Sequence, residues 1–293
     1  MQTMMMWLMI LMLLCAHSVD AAEQSAPGIA VEQSGQGPAM VFIPGLNSAA
    51  ETWQETCEAL PVQCHLVQLP GFASLNPIQD EPWLAAMAER LSQYLDDQKI
   101  EQPVLVGHSL GGKLAMMMAR NEPQRFSRLI IVDSLPFFPA AQNPQATVSS
   151  TQPMAEMMRS NMRTMDEPSD AAQARMSIQA MLQGMSRDPA NIERLTDWSL
   201  ASDRWTTSQA MYELMTIDLR DEIAGIETPT LVLGAWAGYA AFGATQESIR
   251  QVFEQQYAKL DGVRIELSDE GYHFLMWDDP EWLREHIREF AEL

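Results

Sequence analysis

Residues 104 to 114 read Val-Leu-Val-Gly-His-Ser-Leu-Gly-Gly-Lys-Leu, an apolar strand that runs into Gly-x-Ser-x-Gly and then into a helix-forming segment. A serine at such a strand-to-helix junction sits on a sharp, strained turn that lifts its hydroxyl clear of the sheet edge. Gly107 and Gly111 flank Ser109 and allow the backbone to make that turn without side-chain clashes. The stretch therefore predicts a nucleophile elbow with Ser109 as the nucleophile.

The order of motifs along the chain resembles that of the α/β-hydrolase family. The resemblance begins at Met40-Val-Phe-Ile-Pro-Gly45, continues through the elbow and ends in the segment around His273. It implies an α/β-hydrolase fold, which is a mostly parallel sheet flanked by helices, with an inserted helical cap. It also implies a serine hydrolase that needs no cofactor. The resemblance does not identify the substrate.

The pattern of strands and helices agrees with this fold. Continuous apolar strands that alternate with helices indicate a parallel sheet that is buried on both faces. A helix is expected over residues 83–95, with its apolar positions on one face, and another over residues 245–260. Asp279 is expected to cap a closing helix whose first residue is Pro280. The predicted strands are residues 29–32, 40–43, 64–69, 104–106, 129–132, 230–234 and 263–267.

The domain organisation follows from where the alternation starts and breaks. With 293 residues, 47% of them hydrophobic, the chain is long enough for one large α/β domain. We expect a leader at residues 1–21, core segments at residues 22–135 and 223–293, and a helical cap at residues 136–222. Ten methionines of the cap either line an acyl pocket or pack the cap onto the core, and we expect packing for most of them: Met154, Met157, Met158, Met162, Met165, Met176, Met181, Met185, Met211 and Met215.

The first residues predict a secretory signal peptide, and hence a secreted or periplasmic protein. Residues 4–14 form an apolar run that is too short to span a bilayer comfortably, and small residues follow at Val19-Asp20-Ala21. Residues 1–14 contain no Lys or Arg, so an uncleaved membrane anchor stays an alternative. Bulky Leu14 before Cys15 argues against lipidation.

The net negative charge of the chain limits the kinds of partner that it can bind. The chain has 18 basic and 39 acidic residues, which argues against nucleic acid as a partner because no basic surface is present to displace counterions from phosphates. Anionic substrates and anionic membranes are disfavoured for the same reason. The five histidines show no metal-ligand spacing.

Cys57 and Cys64 form either a local disulfide or two buried thiols. The sequence does not define an oligomeric state.

A serine nucleophile needs a base that takes its proton and an acid that orients the base. His273 follows the last predicted strand, where the family places its base. Most members of the family carry the acid after the strand that follows the cap, but residues 234–243 contain no carboxylate here. The other location used in the fold is the end of the preceding core strand, which here is Asp133. Asp269 is the alternative acid, and Glu247 is a weaker one because it lies in a predicted helix.

The resemblance also implies two backbone N–H groups that stabilise an oxyanion. One is that of Leu110, directly after the nucleophile. The other is assigned to Leu46, in the loop Pro44-Gly-Leu-Asn-Ser48, which resembles the His-Gly-x loop of the family with Pro replacing His.

Three functions fit these residues. The first is hydrolysis of carboxylic esters, including lactones, through an acyl-enzyme on Ser109 with a small-molecule ester or acyl substrate. The second is cleavage of an amide or an activated carbon–carbon bond by the same triad, since the fold does not select the substrate. The third is a non-catalytic ligand receptor on the same fold. Epoxide hydrolase and haloalkane dehalogenase are disfavoured because relatives with those activities carry Asp in place of Ser109.

Overall fold

A computed structural model of the chain describes residues 28–164 and 170–293. The predicted leader at residues 1–21 lies outside the described residues, so export stays a prediction. Seven strands form one sheet in the order β1-β3-β2-β4-β5-β6-β7, in which β1 is antiparallel to β3 and the other pairs are parallel. The strands are β1 (Ala30–Gly35), β2 (Ala39–Ile43), β3 (Gln63–Gln68), β4 (Val104–His108), β5 (Arg128–Val132), β6 (Thr230–Gly234) and β7 (Arg264–Leu267).

Helices cover both faces of this sheet. One apolar cluster contains α2, α3 and α8, and the other contains α1, α9 and α10. No helix in residues 28–164 or 170–293 is long and apolar enough to cross a membrane. The helices are α1 (Gln54–Glu58), α2 (Trp83–Asp97), α3 (Leu110–Asn121), α4 (Val148–Thr164), α5 (Ala171–Leu182), α6 (Pro189–Ala201), α7 (Arg204–Thr216), α8 (Gln246–Gln256), α9 (Leu275–Asp278) and α10 (Pro280–Ala291).

The mostly parallel α/β-hydrolase sheet that the sequence predicts is confirmed. The central strands read as unbroken apolar runs because successive side chains enter opposite apolar clusters, and both clusters exclude water. On α2, the expected apolar face is buried, with Leu84, Met87, Leu91 and Leu95 at most 1% exposed.

The sheet register brings two predicted site residues to one edge. His108 at the end of β4 pairs with Val132 at the end of β5. Ser109 and Asp133 each follow directly, so both leave the sheet at the carboxyl ends of neighbouring parallel strands. This is the edge at which open α/β sheets bind their ligands.

Asp279 behaves differently from the expectation. It precedes α10, and Pro280 is the first residue of that helix, but the Asp279 side chain makes no capping hydrogen bond. Its carboxylate instead accepts a hydrogen bond from the Ser268 hydroxyl at 2.6 Å. Asp279 therefore ties the start of α10 to the turn after β7.

Helices α4 to α7 occupy the chain between β5 and β6, where the sequence predicts the cap. Their methionines do not behave as expected. The expectation that most of them pack against the core is wrong for five, which are exposed side chains on α4 and α5: Met154, Met157, Met158, Met176 and Met181. Helix α4 packs on α7, and α5 packs on α6, so these methionines lie on the outer helical faces.

The cap is tied to the core by buried polar contacts. The carboxylate of Glu213 on α7 accepts hydrogen bonds from the backbone N–H groups of Trp83 and Leu84 at 2.6 and 2.7 Å. Glu213 is 3% exposed, and its charge lies at the positive end of the α2 dipole. This contact supplies the N-terminal cap that the sequence of α2 itself lacks, because Pro82 precedes the helix.

Lys113, on α3, joins the core to both connections of the cap. Its ammonium donates to the carbonyl of Pro136, where the chain enters the cap, and to that of Ile217, where it returns. The side chain is completely buried. Burial lowers the pKa of Lys113 to about 7, against the opposing effect of the acidic Asp218 and Glu222.

Replacing Lys113 with methionine is expected to change how stability depends on pH. Between pH 7 and 10.5 the unfolded chain holds the lysine proton and the folded chain releases it, so the contribution of Lys113 to the free energy of unfolding rises with pH in this window. The difference between the unfolding free energies of wild type and Lys113→Met therefore rises by at most about 1.4 kcal/mol per pH unit, and it becomes constant below pH 7. Urea denaturation of both proteins from pH 6 to 10 measures it, and a constant difference would contradict the proton release.

Cys57 and Cys64 form a disulfide, which decides between the two alternatives left open by the sequence. The bond joins α1 to β3, and both sulfur-bearing residues are buried in the apolar cluster on that face. Closing such a short loop restricts the unfolded chain and is worth about 2 kcal/mol.

Candidate active site

The turn at Ser109 has the strained geometry of a nucleophile elbow. Ser109 has φ 53° and ψ −118°, and its N–H donates to the carbonyl of Val132 at 2.9 Å. A Cβ added at Gly107 would lie 2.3 Å from the carbonyl oxygen of Gly111. One added at Gly111 would lie 2.4 Å from the carbonyl oxygen of Ile43. Only glycine fits at these two positions, because the turn brings backbone against backbone.

Asp133 and His273 are brought into direct contact. A carboxylate oxygen, Oδ2, of Asp133 lies 2.6 Å from Nδ1 of His273. The other oxygen, Oδ1, accepts the N–H of Ala235 at 2.8 Å. The backbone of Asp133 has φ 42°, and its N–H donates to Leu233 at 2.7 Å. The two oxygens of the carboxylate are thus held by different partners, one by a backbone N–H and the other by the imidazole ring.

The loop after β6 contains no carboxylate but holds the carboxylate of Asp133 in place. This loop contributes the Ala235 N–H that holds Asp133, whereas its side chains are apolar or aromatic. The charge of Asp133, followed by burial, raises the pKa of the Tyr239 phenol. Burial, with a smaller contribution from Asp133, raises the pKa of Tyr257, which donates to the carbonyl of Ser134 at 2.8 Å. Both shifts disfavour a second negative charge beside the carboxylate of Asp133.

The two other candidate acids point elsewhere. Asp269 is exposed, and its carboxylate accepts a hydrogen bond from the side chain of Gln246 at 2.7 Å. Glu247 accepts from Gln251 on the same helix at 2.9 Å. Neither carboxylate contacts the His273 ring. Within the described ranges, no group of three or more His, Cys, Asp or Glu side chains is arranged to hold a metal ion.

The loop after β2 lies against the elbow. A Cβ at Gly45 would be 3.2 Å from Cβ of Ser109, so the two turns are in contact. Leu46 follows in this loop, and Leu110 is the first residue of α3. The side-chain amide of Gln68 holds the loop, accepting from the N–H of Ala50 at 2.8 Å and donating to neighbouring carbonyls. The structure thus places both predicted oxyanion donors in segments that border Ser109.

His108 contributes to the site in a way that the sequence did not indicate. Its Nε2 lies 3.0 Å from the carbonyl oxygen of His273, and the two rings are 4.6 Å apart. The His108 ring is completely buried between Trp53 and Phe274. Burial, and secondly the nearby His273, holds the pKa of His108 well below its usual range. The ring is therefore neutral and donates its Nε2–H to the carbonyl. The position of His108 within the elbow motif was a signal that this residue lies at the site. Its partner, the carbonyl of His273, is 165 positions away in the sequence and could not be inferred.

The fold and this constellation define a hydrolase built around a serine on a strand-to-helix elbow. Residues 40–286 match the family model described as the alpha/beta hydrolase family. A pimeloyl-[acyl-carrier protein] methyl ester esterase of Aeromonas hydrophila is 31% identical over 220 residues, which cover 69% of this chain and 78% of that protein.

Solved structures agree on the fold. A hydrolase from Pseudomonas aeruginosa superposes with a TM-score of 0.72 at 18% identity, covering 90% of this chain and 94% of that one. An esterase from Exiguobacterium antarcticum also gives a TM-score of 0.72, at 17% identity, covering 90% and 96%. The chain belongs to the α/β hydrolase family and is an enzyme of the carboxylic ester hydrolase class.

Proposed function

We propose that the protein hydrolyses carboxylic esters, including lactones, through an acyl-enzyme on Ser109. The hydroxyl of Ser109 attacks the ester carbonyl carbon while Nε2 of His273 takes its proton. The tetrahedral intermediate then expels the alcohol, which receives that proton from His273. Water, deprotonated by the same nitrogen, attacks the acyl-enzyme and releases the acid. Asp133 keeps the imidazole in the required tautomer.

The contact between Asp133 and His273 is the observation that carries this proposal. A carboxylate that accepts the Nδ1–H of a histidine leaves Nε2 unprotonated, which is the form that a general base needs. The acid comes from the end of β5 and the base from the loop after β7. The backbone around Ser109 is linked to both, because the N–H of Ser109 donates to the carbonyl of Val132, beside Asp133, and the ring of His108 bonds to the carbonyl of His273.

The oxyanion is assigned to the backbone N–H groups of Leu46 and Leu110. The support is that the loop after β2 touches the elbow at Gly45 and that Leu110 opens α3, where free helical N–H groups and the helix dipole favour negative charge. Rigid donors of this kind supply about 3–4 kcal/mol of transition-state stabilisation each.

The substrate class is supported by the relatives rather than by the pocket. The Aeromonas protein is named for hydrolysis of a methyl ester, which favours an ester over an amide or an activated carbon–carbon bond in this chain. The net charge of −21 favours neutral substrates at long range. We therefore propose a small, uncharged ester or lactone.

The test is hydrolysis of a series of p-nitrophenyl esters, from short to long acyl chains, combined with labelling by a fluorophosphonate. We expect turnover with an optimum chain length, and a single covalent adduct on Ser109 that mass spectrometry locates. A protein that neither turns over any ester nor labels at Ser109 would instead be a receptor. Labelling without ester turnover would favour amide or carbon–carbon cleavage.

A further inference from the structure

The peptide bond that follows His273 is held from both sides. On the core side, His108 donates its ring N–H to the carbonyl of His273 at 3.0 Å. On the cap side, the N–H of Phe274 donates to the carbonyl of Met185 at 3.1 Å. The backbone that carries the imidazole is therefore fixed between the nucleophile elbow and the segment that connects α5 to α6. We call this connecting segment, residues 183–188, the cap turn.

A second contact fixes the cap turn to Asp278, at the end of α9 and five residues after His273. The carboxylate of Asp278, on α9, accepts the hydroxyl of Ser186 at 2.7 Å and the N–H of Arg187 at 3.1 and 3.2 Å. Ser186 and Asp278 are 5% and 6% exposed. The guanidinium of Arg187 also donates to the backbone carbonyl of Asp278 and to Glu270. We call residues 268–278, from the end of β7 to the end of α9, the histidine loop. The cap turn contacts this loop before, at and after His273.

Packing reinforces these hydrogen bonds. The ring of Phe274 stacks on Trp277 with centroids 4.6 Å apart and lies 4.7 Å from His108. A Cβ added at Gly238, in the loop after β6, would lie 2.7 Å from the carbonyl oxygen of Gly184. The cap turn therefore touches both the loop that carries the base and the loop that holds the acid. Within the cap turn only Ser186 is buried, so its bond to the buried Asp278 is the contact that admits the least displacement.

We propose that the cap turn is a positioning element for the catalytic base, acting on His273 through Asp278 and Phe274. This rests on the proposed function, since it assigns a second role to the cap beyond covering the substrate. The position of the cap on the core and the orientation of His273 are therefore coupled. Displacement of the cap turn is expected to move the imidazole that Asp133 contacts.

Substitution at Asp278 tests this role. In Asp278→Ala, the anchor for Ser186 and Arg187 is lost together with a backbone hydrogen bond from Tyr272, the residue before His273. The kcat for a short p-nitrophenyl ester is expected to fall about 10- to 100-fold, because a base displaced by a fraction of an ångström transfers protons poorly. Ser186→Ala, which leaves the Tyr272 contact in place, isolates the contribution of the cap turn. KM should stay within about twofold, since a short ester makes few cap contacts. Asp278→Asn keeps an acceptor oxygen and is expected to restore most of kcat. Ser186→Ala removes one bond and gives a smaller loss in the same direction.

Glu213→Ala is the matched control. It also removes a buried carboxylate that ties the cap to the core, but the partners of this carboxylate are the first N–H groups of α2 and not the histidine loop. It is expected to lower Tm as Asp278→Ala does and to leave kcat within about twofold. Equal kcat losses in the two variants would mean that Asp278 acts only through stability, and the proposal would be overturned.

A spectroscopic readout separates this inference from the proposed reaction. The Nδ1 proton of His273, shared with Asp133, is expected to give a low-field proton NMR signal. The signal should broaden or shift in Asp278→Ala, remain in Glu213→Ala and return in Asp278→Asn. Wild type without ester turnover would refute the proposed function while this comparison still tests the positioning. An unchanged signal in Asp278→Ala, with wild-type activity intact, would refute the positioning alone.

Discussion

Replacing Ser109 with alanine is expected to abolish ester turnover, with a fall in kcat on the order of 10⁴-fold or more. In the proposed mechanism the oxygen of the Ser109 hydroxyl becomes acylated, so the alanine variant cannot form the covalent intermediate. The residual rate would come from the oxyanion donors and from binding alone. Progress curves with the best ester of the p-nitrophenyl series, at high enzyme concentration, measure the loss.

The alanine variant should fold as wild type does. Ser109 already bears a Cβ at φ 53°, so alanine incurs the same backbone cost and removes one oxygen. Equal thermal denaturation curves would show that the effect is chemical. Binding of a substrate analogue should also persist, because the pocket is unchanged. Substantial turnover in Ser109→Ala would assign the reaction to another nucleophile and refute the acyl-enzyme proposed here.

Much of this site is predictable from sequence because its parts are attached to strand ends. Parallel strands deliver the residues that follow them to one sheet edge, so the elbow at Ser109 and the carboxylate of Asp133 could be placed together once β4 and β5 were recognised. The absence of an acid after β6 narrowed the choice further. The structure places Asp133, rather than Asp269, at the His273 ring.

What the sequence does not reveal are contacts made by single residues across the fold. Ser186 and Asp278 are 92 positions apart, and each is an ordinary polar residue with no periodic pattern around it. The same holds for Glu213 at the start of α2. Asp279 precedes a proline as helix caps often do, yet its carboxylate bonds to Ser268, because a tertiary partner satisfies it better than the local N–H groups.

The outer methionines of the cap show the opposite failure. Spacings of three and four residues on α4 are typical of a buried face, and Met154, Met157 and Met158 follow that spacing. The structure buries the other side of the helix instead. There Arg159 lies over the Tyr212 ring at 4.0 Å, and it also bonds to Gln209. Long polar side chains can pack their stems against a neighbouring helix, so the number of methionines in the cap does not show which of them are buried.

Asp133→Asn is expected to lower kcat about 10³- to 10⁴-fold through the tautomer of His273. The N–H of Ala235 needs an acceptor, so the amide oxygen of the new side chain takes the place of Oδ1. The amide NH₂ then faces Nδ1 of His273 and donates to it. The ring proton moves to Nε2, which can no longer accept the proton of Ser109.

Asp269→Asn is the matched control for this result, since it makes the same chemical change in an exposed carboxylate four residues before His273. Its kcat should stay within about twofold of wild type, because a surface amide retains the contact with Gln246. KM should change little in either variant, since neither carboxylate is expected to touch the ester. Full turnover in Asp133→Asn together with loss in Asp269→Asn would reverse the assignment of the acid. Loss in both would implicate the histidine loop as a whole, since Asp269 then acts on His273 through the backbone.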